Sequence, residues 1–324
     1  MNFRTQIELS ELPFKIDRSS KVLTIGSCFS DGLGQYLTQS KINCLHNPYG
    51  IIFNPISIFR LLSQSLDNHP VKTNYFTKNQ GLWYHYDFHS KHCHQDRGHL
   101  ENELNDLHQE VGGFLKKTNY IIITLGTAYA YRLFQNSYVV SNCHKKEATF
   151  FKKEILSLKE IKIRFSQFYE RLIQINPKVK LIFTVSPVRH IKDTLSGNSL
   201  SKSILRLAAQ QFSEDCKNIS YFPSYEILLD DLRDYRYYAE DMIHVNEVGQ
   251  KYVIEHFKKT AFSQDLIRFI AEWDQIRNQI NHRPFQSDSE IHQNFLKKLV
   301  LRLEKLKDSV DVNNELDMVK AQLI

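Results

Sequence analysis

Cysteine is scarce and poorly spaced for cross-linking. Cys28, Cys44, Cys93, Cys143 and Cys216 form an odd set of five with no CxxC pair, which argues against a disulfide framework and against a structural zinc site. Reduced thiols point to a cytoplasmic setting. No apolar run approaches the roughly 20 residues needed to span a bilayer. The opening stretch MNFRTQIELSELPF also lacks the run of about seven apolar residues that a secretory leader carries. The expectation is therefore a soluble, non-exported chain with no membrane partner. Charge of one sign is nowhere concentrated: the net charge is +6, but Lys and Arg alternate with Asp and Glu. That gives a slight bias toward anionic partners and no footprint for nucleic acid. Internal repeats and low-complexity tracts are absent as well.

What is present is ample apolar content, 42% of 324 residues, enough for a substantial core. Four short runs read as buried strands: Val22–Ile25, Tyr120–Leu125, Lys180–Val185 and, more weakly, Ile219–Phe222. Runs of this length, rich in β-branched residues and separated by helical patterns, predict a parallel sheet with helices on both faces. The first helix is expected to take Ser30 as its cap and Leu33, Tyr36 and Leu37 as its inner stripe. Ile161, Phe165, Phe168, Leu172 and Ile175 recur at spacings of four, three, four and three before Asn176-Pro177, an amphipathic helix with a stop signal. Between Leu45 and Leu107 periodicity is poor, and long loops with short helices are expected. Past Phe262 the pattern turns helical, and Leu296, Leu299, Leu303, Leu306 and Val310 recur at heptad spacing. Residues 1–262 are thus read as an α/β domain and 263–324 as a helical extension whose stripe serves packing or self-association into a homo-oligomer.

The candidate chemistry starts in VLTIGSCFSDGLGQYL, where an apolar strand ends in Gly26-Ser27-Cys28 and a helix follows. In doubly wound sheets ligands bind beyond the carboxyl ends of the strands. A helix N-terminus there lowers a thiol pKa and offers free N–H groups to an oxyanion. A buried, inert cysteine in a tight turn is the competing reading. The second stretch is Asp241-Met242-Ile243-His244, just before the helix VNEVGQKYVIEHF. A carboxylate three residues before an imidazole can accept its Nδ1–H and leave Nε2 to act as a base. His85, His89, His92 and His94, with Cys93, invite a metal reading, but apart from His85 and His89, at i,i+4, their spacing matches no ligand pattern and the tract reads as loop, so neither metal nor cofactor is expected. Arg189 and His190 follow the strand KLIFTV and could meet an anionic or hydroxylated substrate.

The order of these motifs resembles the SGNH, or GDSL-like, hydrolases, whose first block lies over Gly26-Ser27-Cys28-Phe29-Ser30-Asp31-Gly32 and whose last block is DxxH. More closely, GSCF resembles the GSCFA-domain family of that superfamily, as do NPYGIIFNP, DFHS, ITLGTAYAY, TVSPVRH followed by NSLSKSILRLA, and DDLRDYRYYAEDMIH, over about residues 21 to 257. The resemblance implies a three-layer α/β/α, flavodoxin-like parallel sheet with the C-terminal helices added. It places Cys28 on the superfamily's serine and Ser27 on its aspartate, leaving Ser27 as a turn-stabilising hydroxyl. A thiolate partly formed near neutral pH would suit that position. The second block implies Gly50, in Asn47-Pro48-Tyr49-Gly50, as an oxyanion N–H donor. The third block keeps Gly126 but has Ala128 where the asparagine belongs, so Thr127 or Asn47 would supply the side-chain donor. DFHS implies that His89 lines the pocket.

The leading expectation is an esterase or acyl hydrolase acting on a small acyl ester, such as O-acetyl on a carbohydrate, with Cys28, His244 and Asp241 as its working residues. The competing expectations are a catalytically lapsed carbohydrate-binding protein and an acyltransferase that forms a thioester at Cys28.

Overall fold

The computed structural model describes residues 4–324; the first three residues of the segment read for a leader lie outside them. The chain begins with β1 (Lys21–Gly26), α1 (Cys28–Gln39), β2 (Asn43–His46) and α2 (Pro55–Leu66). A hairpin, β3 (Phe76–Asn79) and β4 (Leu82–His85), precedes α3 (Arg97–Leu115) and β5 (Tyr120–Leu125). Three short strands follow, β6 (Tyr129–Leu133), β7 (Val139–Val140) and β8 (Phe151–Ile155), and then α4 (Leu158–Ile175), β9 (Lys180–Val185), α5 (Thr194–Asp215) and β10 (Ile219–Tyr221). The chain closes with α6 (Ser224–Glu226), α7 (Glu247–Ala261), α8 (Gln264–Ile280), α9 (Glu290–Leu306) and α10 (Asn313–Lys320).

The central sheet has the order β10-β9-β5-β1-β2, and every neighbouring pair is parallel. Counted along the chain, its five strands lie in the order 2-1-3-4-5, the flavodoxin-like arrangement, whose switch point falls between β1 and β5. Alternation along the strands divides the core. Leu23, Ile25, Ile121, Ile123, Leu181 and Phe183 face one side with α2 to α5. Val22, Ile122 and Ile182 face the other with α1 and α7, as the two-residue period of a strand requires. A separate sheet, β7-β6-β8, and the β3–β4 hairpin stand outside this frame.

The helix over Leu158–Ile175 buries Ile161, Phe165, Phe168 and Leu172, as their spacing predicts. α1 departs from expectation at its start: its cap is Ser27, and the helix begins at Cys28. Ser30 is a buried residue whose hydroxyl donates to the Ile25 carbonyl at 2.8 Å and pairs with Thr124 Oγ1 at 2.6 Å. The segment expected to be mostly loop holds two full helices. α2 is capped by Asn54, with Pro55 at its first position. It is buried on nearly every side, so no single apolar stripe betrayed it. In α3 the inner stripe Leu100, Leu104, Val111 and Leu115 is interrupted by buried His108, whose Nδ1 pairs with the His69 carbonyl at 3.0 Å. β2 is a four-residue edge strand with no apolar run of its own.

The heptad stripe finds its cover within the chain. Leu296, Leu299 and Leu303 join Leu266, Phe269, Ile270 and Trp273 of α8, Leu316 and Val319 of α10, and Val22 and Ile122 of the sheet in one cluster. Trp273 Nε1 donates to the Gln39 carbonyl at the end of α1 at 2.8 Å, and Lys41 pairs with Glu315 at 2.7 Å. Residues 263–324 thus extend the apolar cluster on the α1 side of the sheet and are tied to the end of α1. Among the described residues, no helix is long and apolar enough to cross a membrane.

Candidate functional site

Gly26 ends β1 at the switch point with φ +133, and a Cβ there would lie 2.1 Å from the Thr124 carbonyl oxygen of β5, so only glycine fits. Its N–H donates to Asn47 Oδ1 at 2.9 Å, its carbonyl accepts from the Ile52 N–H at 3.0 Å, and the Ser27 N–H donates to the Thr124 carbonyl at 3.2 Å. Cys28 therefore enters α1 from a turn pinned on two sides. The Ser27 hydroxyl is buried and makes no hydrogen bond, so it does not stabilise the turn in the expected way. The thiol also departs from expectation. Burial pushes Cys28 above the ordinary cysteine value and the Asp31 carboxylate adds to this, while the residue's own N–H offsets only part. The neutral thiol, not a thiolate, is the resting form at neutral pH.

The DxxH stretch is a compact polar loop. Asp241 Oδ2 lies 2.6 Å from His244 Nδ1, and Oδ1 accepts the N–H groups of Ile243 and His244, both at 2.9 Å. These bonds, the imidazole's first, hold the Asp241 carboxyl down at about 2. The loop is closed by Ala239 N–H donating to the His244 carbonyl at 2.8 Å and by a bridge between Tyr238 and Val245. Asn246 then caps α7. One turn into α7, Gln250 donates to the Val245 carbonyl at 3.1 Å, and its side-chain oxygen sits 3.2 Å from where a Cβ on Gly32 of α1 would be. Through Gln250 the structure brings the loop against the first turns of α1. It does not join base to nucleophile: among the described residues, no hydrogen bond links Cys28 Sγ to the His244 ring. The side chains of Asp241 and His244 are 45% and 51% exposed, so the pair stands open to solvent.

Of the expected oxyanion donors, Gly50 and Thr127 are otherwise engaged. The Gly50 N–H donates to the Asn47 carbonyl at 2.8 Å, closing a β-turn in which Gly50 has φ +77. The Thr127 hydroxyl accepts from the Tyr129 N–H at 2.9 Å and meets Ser201 Oγ at 3.2 Å, while the Gly126 and Thr127 N–H groups both donate to the Phe53 carbonyl. The Asn47 amide is engaged as well, its Oδ1 by the Gly26 N–H. Its amide nitrogen lies 3.5 Å from Asp31 Oδ1, and Asp31 is three residues beyond Cys28, on the same face of α1. The Cys28 N–H, first in the helix, lacks an intrahelical partner by its position.

His89 packs its Cβ where a side chain on Gly50 would lie, and burial lowers its pKa. Arg189 lies over the rings of Tyr235 and Tyr238 and donates to their hydroxyls at 3.2 and 3.0 Å, on the wall of a cavity of about 390 Å³ next to the DxxH loop. His190 turns inward instead. Its Nε2 donates to the Gly126 carbonyl at 2.9 Å, and burial pushes it down to about 4. The histidine tract between residues 85 and 94 directs ring nitrogens at backbone: His85 at Lys72 O, His92 at Pro48 O, His94 at Asp96.

Sequence reasoning passed over Asp31, Gln250 and, above all, Lys202. The last is buried on α5, donates to the Gly126 carbonyl at 2.7 Å with no carboxylate paired to it among the described residues, and is pushed down to about 7 by burial. The signal was available: Asn198, Ser201, Lys202, Leu205, Ala208 and Phe212 form one inner stripe, and a lysine in such a stripe is anomalous.

A family model described as the GSCFA family matches residues 21–257, and a second, the GSCFA domain protein C-terminal domain, matches 273–324. No curated protein matches the chain. Among the solved structures distantly similar to the chain are two at 12% identity. One, described as "a putative platelet activating factor from Streptococcus pneumonia", has a TM-score of 0.39 over 74% of this chain and 83% of that one. The other, a Clostridium thermocellum family 3 carbohydrate esterase, has a TM-score of 0.36 over 78% and 98%. Because the first model spans most of the chain, with GSCF at the end of β1 and DxxH ahead of α7, the protein belongs to the GSCFA family.

Proposed function

We propose that the protein is an SGNH-like esterase that removes a small acyl group, such as O-acetyl from a carbohydrate, with Cys28 as nucleophile. The observation that carries this reading is the position of Cys28 at the first residue of α1, at the switch point of the sheet, with the Asp241–His244 pair on the loop just ahead of α7, whose Gln250 reaches Gly32 of α1. With Nδ1–H donated to Asp241, His244 presents a basic Nε2. Because the thiol is held neutral, His244 has to take its proton during attack, as it would from a serine. Sγ then bonds to the carbonyl carbon, and the oxyanion is met by the Cys28 N–H and the Asn47 amide. Collapse expels the alcohol, which takes the proton from His244. Water, deprotonated by His244, then hydrolyses the thioester.

A second reading, a pocket that binds acylated carbohydrate without turnover, draws support from the engaged N–H groups of Gly50, Gly126 and Thr127. An acyltransferase would share the thioester and differ only in its acceptor. Hydrolysis of p-nitrophenyl acetate and acetylated sugars by the parent, Cys28→Ala, Cys28→Ser and Ser27→Ala decides among them. The expected result is loss of turnover in Cys28→Ala, a measurable rate in Cys28→Ser, and a mild effect in Ser27→Ala. A parent inactive on every ester would favour the binding reading, and an active Cys28→Ala beside a dead Ser27→Ala would move the nucleophile to Ser27.

A further inference from the structure

Phe53 stands on the loop between β2 and α2 with its side chain 42% exposed. A single exposed aromatic residue is ordinary on a protein surface, but the place and the support of this one are not. Ile52, just before it, donates its N–H to the Gly26 carbonyl at 3.0 Å, and the Phe53 carbonyl accepts the N–H groups of Gly126 and Thr127 at 2.9 and 3.0 Å. The loop thus bridges the ends of β1 and β5. Gly26 pairs with Thr124 in the parallel register, so Cys28 and Gly126 each lie two residues past that pair, at the carboxyl ends where sheets of this topology take their ligands. A Cβ on Gly126 would fall 3.0 Å from both Cα and Cδ1 of Phe53, so it is glycine that lets the ring lie against the end of β5.

The turn under the ring is held from behind. The Gly126 carbonyl accepts from Lys202 Nζ at 2.7 Å and from His190 Nε2 at 2.9 Å, and Ser201 Oγ accepts the Ala128 N–H at 2.8 Å. Lys202 and Ser201 are both buried on α5. Burying a lysine with no carboxylate paired to it is costly, and the bond it makes there fixes the turn on which Phe53 rests. The backbone at Phe53 is therefore fixed while its ring faces solvent, an apolar surface set in place before any ligand arrives.

We propose that Phe53 is a specificity-determining residue of the site at Cys28, a ring held ready for an apolar C–H face of the substrate. The identity of that site rests on the esterase reading above; the placement of the ring does not. A phenyl ring supplies flat apolar area and no conventional hydrogen bond, so it does little for the small polar ester group and rewards what is attached to it. That C–H face belongs either to a sugar ring on the alcohol side or to a hydrocarbon chain on the acyl side. Small-ligand sites join an apolar wall of this kind to a few placed polar groups.

The test is hydrolysis of acetylated methyl glucoside, ethyl hexanoate and ethyl acetate by the parent, Phe53→Ala and Phe53→Tyr, with circular dichroism as the check on folding. The parent is expected to prefer one of the two larger esters over ethyl acetate. Phe53→Ala should reduce that preference in kcat/KM by about fivefold or more, through KM, and Phe53→Tyr, which keeps the ring, should retain it. The ester that responds shows which side of the substrate lies on the ring. An active parent with no such preference, a preference that Phe53→Ala leaves unmoved, or a loss that Phe53→Tyr shares would overturn the proposal. A parent that hydrolyses none of the three would count against the esterase reading alone, and saturation-transfer NMR of the two larger esters with the parent and Phe53→Ala then decides. Binding weakened by about fivefold or more in Phe53→Ala would support the proposal; binding unmoved by the substitution, or binding of neither ester, would overturn it.

Discussion

The Gly26–Cys28 turn is tied by three hydrogen bonds to the β2–α2 loop and β5 and is largely buried, whereas Asp241–His244 is tied chiefly to itself and stands half in solvent. The first is fixed by the fold: moving Cys28 means disturbing the switch point of the sheet. The second is fixed by local bonds and can shift as a unit on α7. A carboxylate–imidazole pair in water is weak in energy because solvent and salt screen it, so in the proposed mechanism Asp241 would serve orientation and tautomer rather than stability. Substrate binding over the loop would remove water from the pair and strengthen it. On the proposed mechanism, Cys28 is thus placed in advance by the fold, while the proposed base is held by local bonds alone.

The largest effect should come from disturbing the pinned side. Gly26→Ala sets a Cβ against the Thr124 carbonyl oxygen at 2.1 Å in a left-handed backbone, which should cost more than about 3 kcal/mol and leave little folded protein. A Gly26→Ala variant melting within a few degrees of the parent would show that the turn is not rigid. Next, Asp241→Asn should lower kcat by about 10²- to 10⁴-fold, by analogy with triads that lose their orienting carboxylate, while the melting temperature stays within about 2 °C. The sign of the pH effect follows from the depressed carboxyl. Whatever the Asp241 contacts contribute is present above the ordinary carboxylate value and is lost only as pH falls through about 2. Loss of activity between pH 4 and 6 therefore has to come from another group. A melting temperature that falls by many degrees in Asp241→Asn would make the loop a structural element and break the contrast.

A third expectation concerns Lys202, buried against the Gly126 carbonyl just past the end of β5. Its folded value of about 7 lies below the ordinary lysine value, so the cost of burying the charge is full below pH 7 and fades as pH rises toward the unfolded value of about 10.4. Lys202→Met should therefore stabilise the protein by about 1–3 kcal/mol at pH 6, a gain that disappears by pH 10.5. The Gly126 carbonyl keeps its bond from His190 in that variant. Thermal melts across pH measure this, and destabilisation at pH 6 would mean that the bond to Gly126 outweighs desolvation.

Much of the frame was legible because strands buried on both faces advertise themselves. Tyr120–Leu125 and Lys180–Val185 were read residue for residue, and α4 showed its stripe. α2 and α3 were not legible, since all-round burial and a histidine in the inner stripe both erase the one-sided pattern on which helix reading depends. At the candidate site, the local unit Asp241–His244 could be read because its contacts lie within three residues. The fates of the Gly50 and Thr127 donors could not, because their partners, Asn47 O and the groups on Ser201 and Tyr129, depend on how loops turn in space. The thiol's direction of shift failed for the same reason: a helix N-terminus can be read from sequence, but the burial that outweighs it cannot.

The smallest effect expected is the finest test of the contrast. Met242 sits between Asp241 and His244 with φ +59, a conformation that costs a non-glycine residue about 1–2 kcal/mol. Met242→Gly removes that strain but gives the unfolded chain more freedom, worth about 0.5–1 kcal/mol in the opposite direction. The net change in stability should stay within about 1 kcal/mol, and the half-exposed Met242 side chain gives up little packing when removed. Catalysis should respond more than stability does. The extra backbone freedom loosens the angle at which Asp241 holds the ring, so on the proposed mechanism kcat should fall a few-fold with KM nearly constant. If kcat holds and KM rises instead, the loop's contribution lies in contacting substrate rather than in orienting His244, and the division between a fixed nucleophile and an adjustable base would have to be redrawn.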